Sequence, residues 1–517
     1  MSTNAAQVKF SVNNLTTVVN TPVTGISFVM GRSERGPFAD PSTIINTWAQ
    51  FQKLYGGLLD YTDAIHNVKR MLEKGASIRF CRVGHYTDPT SAATLDAALA
   101  LPDDDFVDGV NELFELLPKY KGADGNKLNV DAKAASNADA DYFNIEISHT
   151  EDGILETYTN LIIPGTPTVL QSDYLKIITE SSQYVDVVYK DLSGFTGPLS
   201  ADPVAISFTG GSDGTDPVAA DYAGDSAALN GFFAFDAYDD SMQIGILDQA
   251  MANSTFIAGS AYAAGRKDLM FFMHFANSAI TSAAIIVLRA ATTIDSQYTA
   301  MYSGGLKIND PLTNTSKNIE ALGDIMALAS ASENDYGAWY SFAGHNRGQF
   351  LDALGVVNNF GSPAKAADLD NLANRQTNMA INRSSKLMLW GNFSGQLANN
   401  QESQVSIVRL IIYLRKSLIP ALEYYLEEPN DIPTWKRMYY TVKPFLDNLV
   451  TKRALYEYSW QGDQDAPNMD TLTINNGADV TAGKYQIQLG IKAIPSIQEI
   501  SIAINLTTAG VSFEVIN

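Results

Sequence analysis

Three clusters in this chain carry residue types that can do chemistry. Gly210, Gly211, Asp213, Gly214 and Asp216 form a Gly/Asp loop, and closely spaced carboxylates suit a hard cation such as Ca²⁺. The loop lacks the spaced Glu of a calcium-binding helix–loop–helix. Asp213 and Asp216 are therefore weak metal candidates, and a connecting loop is the simpler reading. Asp463 and Asp465, in WQGDQDAP, are a second close pair that reads as a turn. His345-Asn346-Arg347 sets an imidazole beside a guanidinium, but no nucleophile accompanies it, so a structural hydrogen-bonding knot is expected. The phosphate, dinucleotide, nucleophile-elbow and zinc-protease motifs (GxxxxGK[ST], GxGxxG, GxSxG, HExxH) are absent. A single cysteine, Cys81, excludes a disulfide framework and a zinc site built from several thiolates. No catalytic residue, metal or cofactor is expected, and the chain does not read as an enzyme.

A different chemistry, recognition by charge, is suggested near the C-terminus. A helix expected over 434–455 carries Lys436, Arg437, Lys443, Lys452 and Arg453 against Asp447 alone. In an acidic protein a basic helix is a candidate docking surface for an acidic partner; a solvated face is the alternative. Tyr439, Tyr440, Phe445, Leu446 and Leu449 are expected to hold this helix on its own core.

The elements that position these residues belong to a chain of 517 residues, enough for about three or four domains. With 45% hydrophobic and 18% charged residues it can bury a core, which excludes global disorder. The net charge of −22 argues against a broad nucleic-acid footprint. Residues 101–250 hold 27 of the 57 acids but only 6 of the 35 bases, so the rest of the chain is nearly neutral. That asymmetry reads as a solvated acidic domain inserted into a neutral body. The N-terminus shows no basic start followed by an apolar run, so no signal peptide is visible. The longest uncharged stretch, 269–288, contains His274, Asn277 and Ser278 and reads as a buried strand, a turn and a helix rather than a membrane span.

Along the chain, Val8, Phe10 and Val12 alternate with polar residues as a lone strand. A strand at 24–31, helices over 46–55 and 61–74 and a strand at 77–83 follow, the helices stopped by Gly56-Gly57 and Gly75. Strand–helix–helix–strand is the order of an α/β domain. Residues 86–205 alternate acidic loops with β-rich pieces at 142–148 and 184–190; strands at 243–247 and 269–275 return to the body. Ser403 is placed to cap a helix over 404–427, which Pro420 should kink and Pro429 should end. Alternating runs at 485–491 and 500–506 read as a paired strand set. Val511, Phe513 and Val515 then alternate beyond Gly510 as a second lone strand. The expected organisation is a mixed α/β fold: an N-terminal arm (1–22), a core in two parts (23–90 and 208–400), an inserted acidic β-rich domain (91–207), a C-terminal domain (401–507) and a C-terminal arm (508–517).

In these segments the sequence resembles the contractile-tail sheath proteins of phage tails, tailocins and related injection machines. GISFVMGRSERGP (25–37), with Arg35-Gly36-Pro37, is similar to the family's first strand and turn, and INTWAQFQKLYGGL (45–58), with Trp48, to the helix after it. SIRFCRVG (77–84) and FTGGSDGTDPVAADY (208–222) are similar to further family segments. So are AWYSFAGHNRG (338–348), with Trp339, Gly344, Arg347 and Gly348, and Asn378 with LWGN (389–392), holding Trp390 and Gly391. VRLIIYLRKSL, VKPFLDNL and the terminal strands resemble the family's C-terminal domain. The acidic insert matches no family segment.

The resemblance implies a homo-oligomer: hexameric rings stacked around an inner tail tube, in contact with baseplate and terminator proteins, without nucleic acid or membrane insertion. It implies a place in the virion tail, with assembly in the host cytoplasm. The two lone strands are then expected to join sheets of neighbouring subunits, and the basic helix to face the tube. The acidic insert is expected on the outside, so that deleting about residues 95–200 still leaves polymers. A tailocin or extracellular injection-system sheath, a Ca²⁺-dependent α/β surface enzyme and a donor-strand surface polymer are the alternatives.

Overall fold

Strand β1, Ile26–Gly31, is buried at every position, as expected of an apolar run destined for the middle of a parallel sheet. The computed structural model describes Val19 and residues 25–85, 114–134, 136, 142–162, 176–189, 205–208, 210–248, 252–279 and 281–498. Both expected arm strands (Val8, Phe10, Val12; Val511, Phe513, Val515) and the run at 500–506 lie outside the described residues.

Two compact units divide between Leu426 and Glu427. The sequence placed a boundary at 400/401. The helix Val405–Glu423 belongs instead to the first unit, where Val405, Ile407, Val408, Arg409, Leu410 and Ile412 are buried. Its N-cap is Gln404 rather than Ser403, whose hydroxyl donates to the Asn400 carbonyl. Pro420 lies inside it, and the helix ends at Glu423, before Pro429.

The first unit is built on an eight-stranded sheet. β1 is flanked by β3 (Ser77–Arg82) on one side and β10 (Ser241–Ile246) on the other, and β2 (Ile44–Ile45) closes one edge. Beyond β10 come β11 (Met270–His274), β12 (Thr299–Ser303), β16 (Thr377–Arg383) and β17 (Lys386–Trp390). The six central strands run parallel; β2 and β17 are antiparallel edges. The chain leaves β1 for β3 and returns on the far side at β10, so a topological switch point lies between β1 and β10. Helices Trp48–Tyr55, Ala64–Glu73, Asn253–Arg266, Ser282–Thr292 and Leu322–Asp335 accompany the strands. A Thr47 capping box starts the first of them: the Thr47 side chain accepts from Gln50 N while Gln50 reaches back. A small antiparallel sheet, β13 (Leu306–Asn309), β14 (Ser316–Ile319) and β15 (Gly355–Val356), sits between β12 and β16 in sequence.

The insert between β3 and β10 is β-rich. β5 (Leu128–Ala134), β6 (Tyr142–His149), β7 (Gly153–Ile162) and β9 (Ala205–Ser207) form an antiparallel sheet in the order β7-β6-β5-β9, and β4 (Phe114–Pro118) pairs with β8 (Val185–Tyr189). The acidic segment is not all insert. Residues 210–248 are part of the body, and Asp221, Asp240 and Asp248 take up its basic side chains.

In the second unit the helix Ile432–Thr451 begins at Asp431, whose carboxylate accepts from Thr434 N at 2.9 Å. β18 (Leu455–Gln461) pairs antiparallel with β19 (Gln488–Ala493). The alternation expected at 485–491 is present, but its described partner is β18, far back in the chain. Between them Asp463 organises a loop by accepting from the backbone of Thr473, Ile474 and Asn475.

Candidate interaction surfaces

In an open α/β sheet, ligands bind outside the carboxyl ends of the strands at the switch point. Here that position is filled by the chain itself. Asp248, just past β10 and fully buried, accepts from Arg32 Nε at 2.9 Å and Nη2 at 3.2 Å, from Thr62 Oγ1 at 2.6 Å and from Tyr222 OH at 2.8 Å. The Gly/Asp loop closes over it. Asp216 lies 2.7 Å from Arg32 Nη1, and Asp213 accepts from Arg82 at 3.3 Å and from Ala123 N at 3.1 Å. The two carboxylates weighed as metal ligands are thus each seated on an arginine. Among the described residues no group of three or more His, Cys, Asp or Glu is placed to hold a metal ion. An open cavity of about 200 Å³ remains between Arg32, Tyr61, Arg82 and this loop, smaller than the ~300–1,000 Å³ of small-molecule sites.

The other sequence-selected residues are positions of turn and packing. Arg35 is buried, donates to Gln52 O at 2.9 Å and to Asp152 Oδ2 at 3.0 Å, and lies 3.6 Å from Asp124. Gly36 has φ +97°, and a Cβ there would stand 2.5 Å from the Tyr55 ring. Pro37 follows it, half-buried. Trp48 stacks on Phe51 with Lys69 over its ring. Trp339 is buried edge-on to Tyr413. Arg347 donates to Ser341 O at 2.7 Å and lies over Tyr336 and Tyr340. Gly344 and Gly348 bracket the single turn that holds it, and Gly348 O accepts from Leu389 N. Trp390 carries Arg383 at 4.9 Å, and Gly391 packs on the Asn378 amide, which bridges Met301 O and Phe393 O. Of His345-Asn346-Arg347, Arg347 makes the hydrogen bond and His345 lies edge-on to the Trp390 ring at 6.2 Å.

On the helix Ile432–Thr451, Trp435, Val442, Phe445, Leu446 and Leu449 are buried. Lys436 and Arg437 are exposed on the opposite stripe, Arg437 reaching Glu428 at 3.1 Å. Lys443 pairs with Asp447 at 2.6 Å one turn on, and the Asp447 carboxyl is held below its usual range by the Lys443 and Tyr458 hydrogen bonds. Lys452 and Arg453 lie past the helix end, so the expected helix to 455 is one turn too long. Tyr440 does not hold the helix on its core. It is 62% exposed, between Arg437 and Lys443 on the outward stripe.

The fold is shared with solved structures. A sheath tail protein from Desulfitobacterium hafniense superposes with TM-score 0.57 at 12% identity, over 89% of this chain and 94% of that one. One from Listeria innocua gives 0.58 at 10% identity, over 92% and 96%. The helical sheath of the anti-feeding prophage in its contracted state gives 0.55 at 11% identity, over 98% of this chain and 100% of that one. The chain has the fold of a contractile sheath protein. In sequence it resembles a tail sheath protein of Salmonella phage ViI, 25% identical over 207 residues, which is 39% of this chain and 30% of that relative's length. No family model matches the chain.

The sequence names Arg35 only as part of the first turn and does not single out Arg82; the structure pairs them with Asp152 and Asp213. The signal of that pairing was the contrast between a first segment that carries Arg32, Arg35, Arg79 and Arg82 and an acidic middle. That contrast was attributed to solvation rather than to pairing between the two.

Proposed function

We propose that this chain is the structural subunit of a contractile sheath, polymerising as stacked rings around an inner tube and contracting to drive that tube through a cell envelope. The observation that carries the reading is that the sheath fold extends over 98% of the chain and the whole length of a solved contracted sheath subunit. The filled switch point, with Asp248 consumed by four hydrogen bonds, accords with a mechanical rather than a catalytic role.

Assembly through strand exchange is the natural mechanism. β18 and β19 form a two-stranded sheet whose residues are mostly exposed, and such a ribbon is marginal alone. The alternating runs around Val8–Val12 and Val511–Val515 have the pattern to complete a neighbour's sheet while leaving subunit bodies free to move. The free energy of contraction comes from packing: about 400 Å² of extra buried apolar area per subunit would supply about 10 kcal/mol before entropic costs.

The phage relative favours a virion tail assembled in the host cytoplasm, with tube, baseplate and terminator as partners. The likeness to the anti-feeding prophage and to a PVC sheath complex in its contracted state favours an injection-system sheath as the second reading. Negative-stain microscopy of the purified chain tests the proposal. Hollow cylinders are expected, and removal of residues 1–22 or 508–517 should leave folded protein that forms none. Cylinders formed equally well without either arm would refute strand exchange, and discrete particles from the intact chain in every condition would refute the sheath reading.

A further inference from the structure

The insert meets the body through charge and one aromatic ring, Tyr184, which lies 5.8 Å from the Arg35 guanidinium and donates its hydroxyl to Lys53 O at 3.5 Å. From the body come Glu34 and Arg35, in the turn after β1, and Arg82 at the end of β3. From the insert come Asp124, Lys127, His149, Glu151 and Asp152. Arg35 lies 3.0 Å from Asp152 and 3.6 Å from Asp124, Lys127 bridges Glu34 at 2.7 Å and Glu151 at 3.0 Å, and Arg82 donates to Lys121 O at 2.7 Å. His149, itself buried, holds Asp124 at 3.0 Å through Nε2, while its Nδ1 accepts from the amides of Glu151 and Asp152. Burial alone would raise the Glu34 carboxyl, yet Lys127 and the Gly57 amide hold it below its usual range.

Two further observations define the junction. Among the described residues no helix or strand of the insert packs broadly along one of the body; loops and long side chains make the contact. The insert also has an interior of its own, with Leu116 and Val185 buried on the β4–β8 pair and Leu128, Val130, Ile145 and Ile147 buried on β5 and β6, β6 pairing in turn with β7 through two register shifts. A folded module held at an ionic seat can leave that seat without unfolding, because the cost lies in separating charges rather than in exposing a core.

We propose that Arg35 is the centre of an ionic clasp on which the inserted domain rocks as a folded body relative to the parallel sheet. This follows from the junction alone and holds whether or not the chain forms a sheath.

Hydrogen exchange of the full chain, read by mass spectrometry, tests it. In Arg35→Gln, exchange at Ala123, Glu151 and Asp152 should rise at least about tenfold, whereas the β5–β6 amides should stay within about twofold of wild type. If Arg35→Gln does not accumulate folded, Asp152→Asn and wild type in about 1 M salt, where the Debye length is ~3 Å, read the same amides with the same expectation. Junction rates that stay put in all of these, or β5–β6 protection lost together with the junction, would overturn the proposal.

Discussion

Gly36 shows how one residue couples the sheet to everything built on it. Its φ of +97° turns the chain after β1 so that Arg35 faces the insert while the Gly36 carbonyl accepts from Arg82 at 3.0 Å. A methyl group there would stand 2.5 Å from the Tyr55 ring and 2.8 Å from Leu54 O, in a backbone region that L residues avoid. Gly36→Ala should therefore cost about 2–4 kcal/mol of stability, measured by urea unfolding; a loss under about 0.5 kcal/mol would mean that the turn relaxes freely. His274 makes a prediction in pH. Burial at the carboxyl end of β11 pushes its imidazole down to about 4. The unfolded chain protonates near ~6.5. Between those values the unfolded state binds more protons, so stability is full above the upper one and falls as pH drops toward the lower, by about 3 kcal/mol in all. His274→Leu should remove that part of the acid slope, and an unaltered slope in the variant would exclude His274 as its source.

Among the elements, the helix Ile432–Thr451 separates folding from recognition most cleanly. Its buried stripe carries Trp435, Val442, Phe445, Leu446 and Leu449, so Lys436 and Arg437 can be reversed without touching the core. Lys436→Glu with Arg437→Glu should leave the melting temperature within about 2 °C and, on the proposed sheath reading, reduce assembly on a tube protein at least about tenfold near physiological salt. Normal yield with normal salt sensitivity would place the tube contact elsewhere. This helix was legible because an apolar stripe runs along it after Pro433; it starts two residues earlier and ends one turn sooner than expected, and Tyr440 faces outward. β1, β3 and β11 were legible as short apolar runs between turn residues. The helix Leu322–Asp335 was not, because it is buried on nearly every side and LGDIMALASASEND shows no stripe. β19 was read by its alternation, but its described partner β18 was not anticipated: alternation reports which face is buried, not which strand lies alongside. The candidate site was half visible for a similar reason. The sequence displayed the arginines and the acids, and only the fold brings Arg35 onto Asp124 and Asp152.

At the scale of the whole molecule, the acidic middle changes meaning once its partners are known. A solvated domain could be cut out at no cost to the body. This one neutralises Arg35, whose side chain is almost wholly buried, through Asp124 and Asp152, and a buried charge stripped of its partner costs about 3–5 kcal/mol. The cut must also respect strand pairing: β9 ends at Ser207 and pairs with β5, so an excision stopping near residue 200 leaves an orphan strand. Excising Phe114 through Ser207 should therefore yield a poorly folded chain, and the same excision with Arg35→Gln should recover folding. If the insert faces outward in a sheath, the recovered protein should still form cylinders of smaller outer diameter. Full stability from the simple excision would show that Arg35 finds other partners. A recovered, folded chain that stays monomeric would put the insert inside the lattice instead of on its surface.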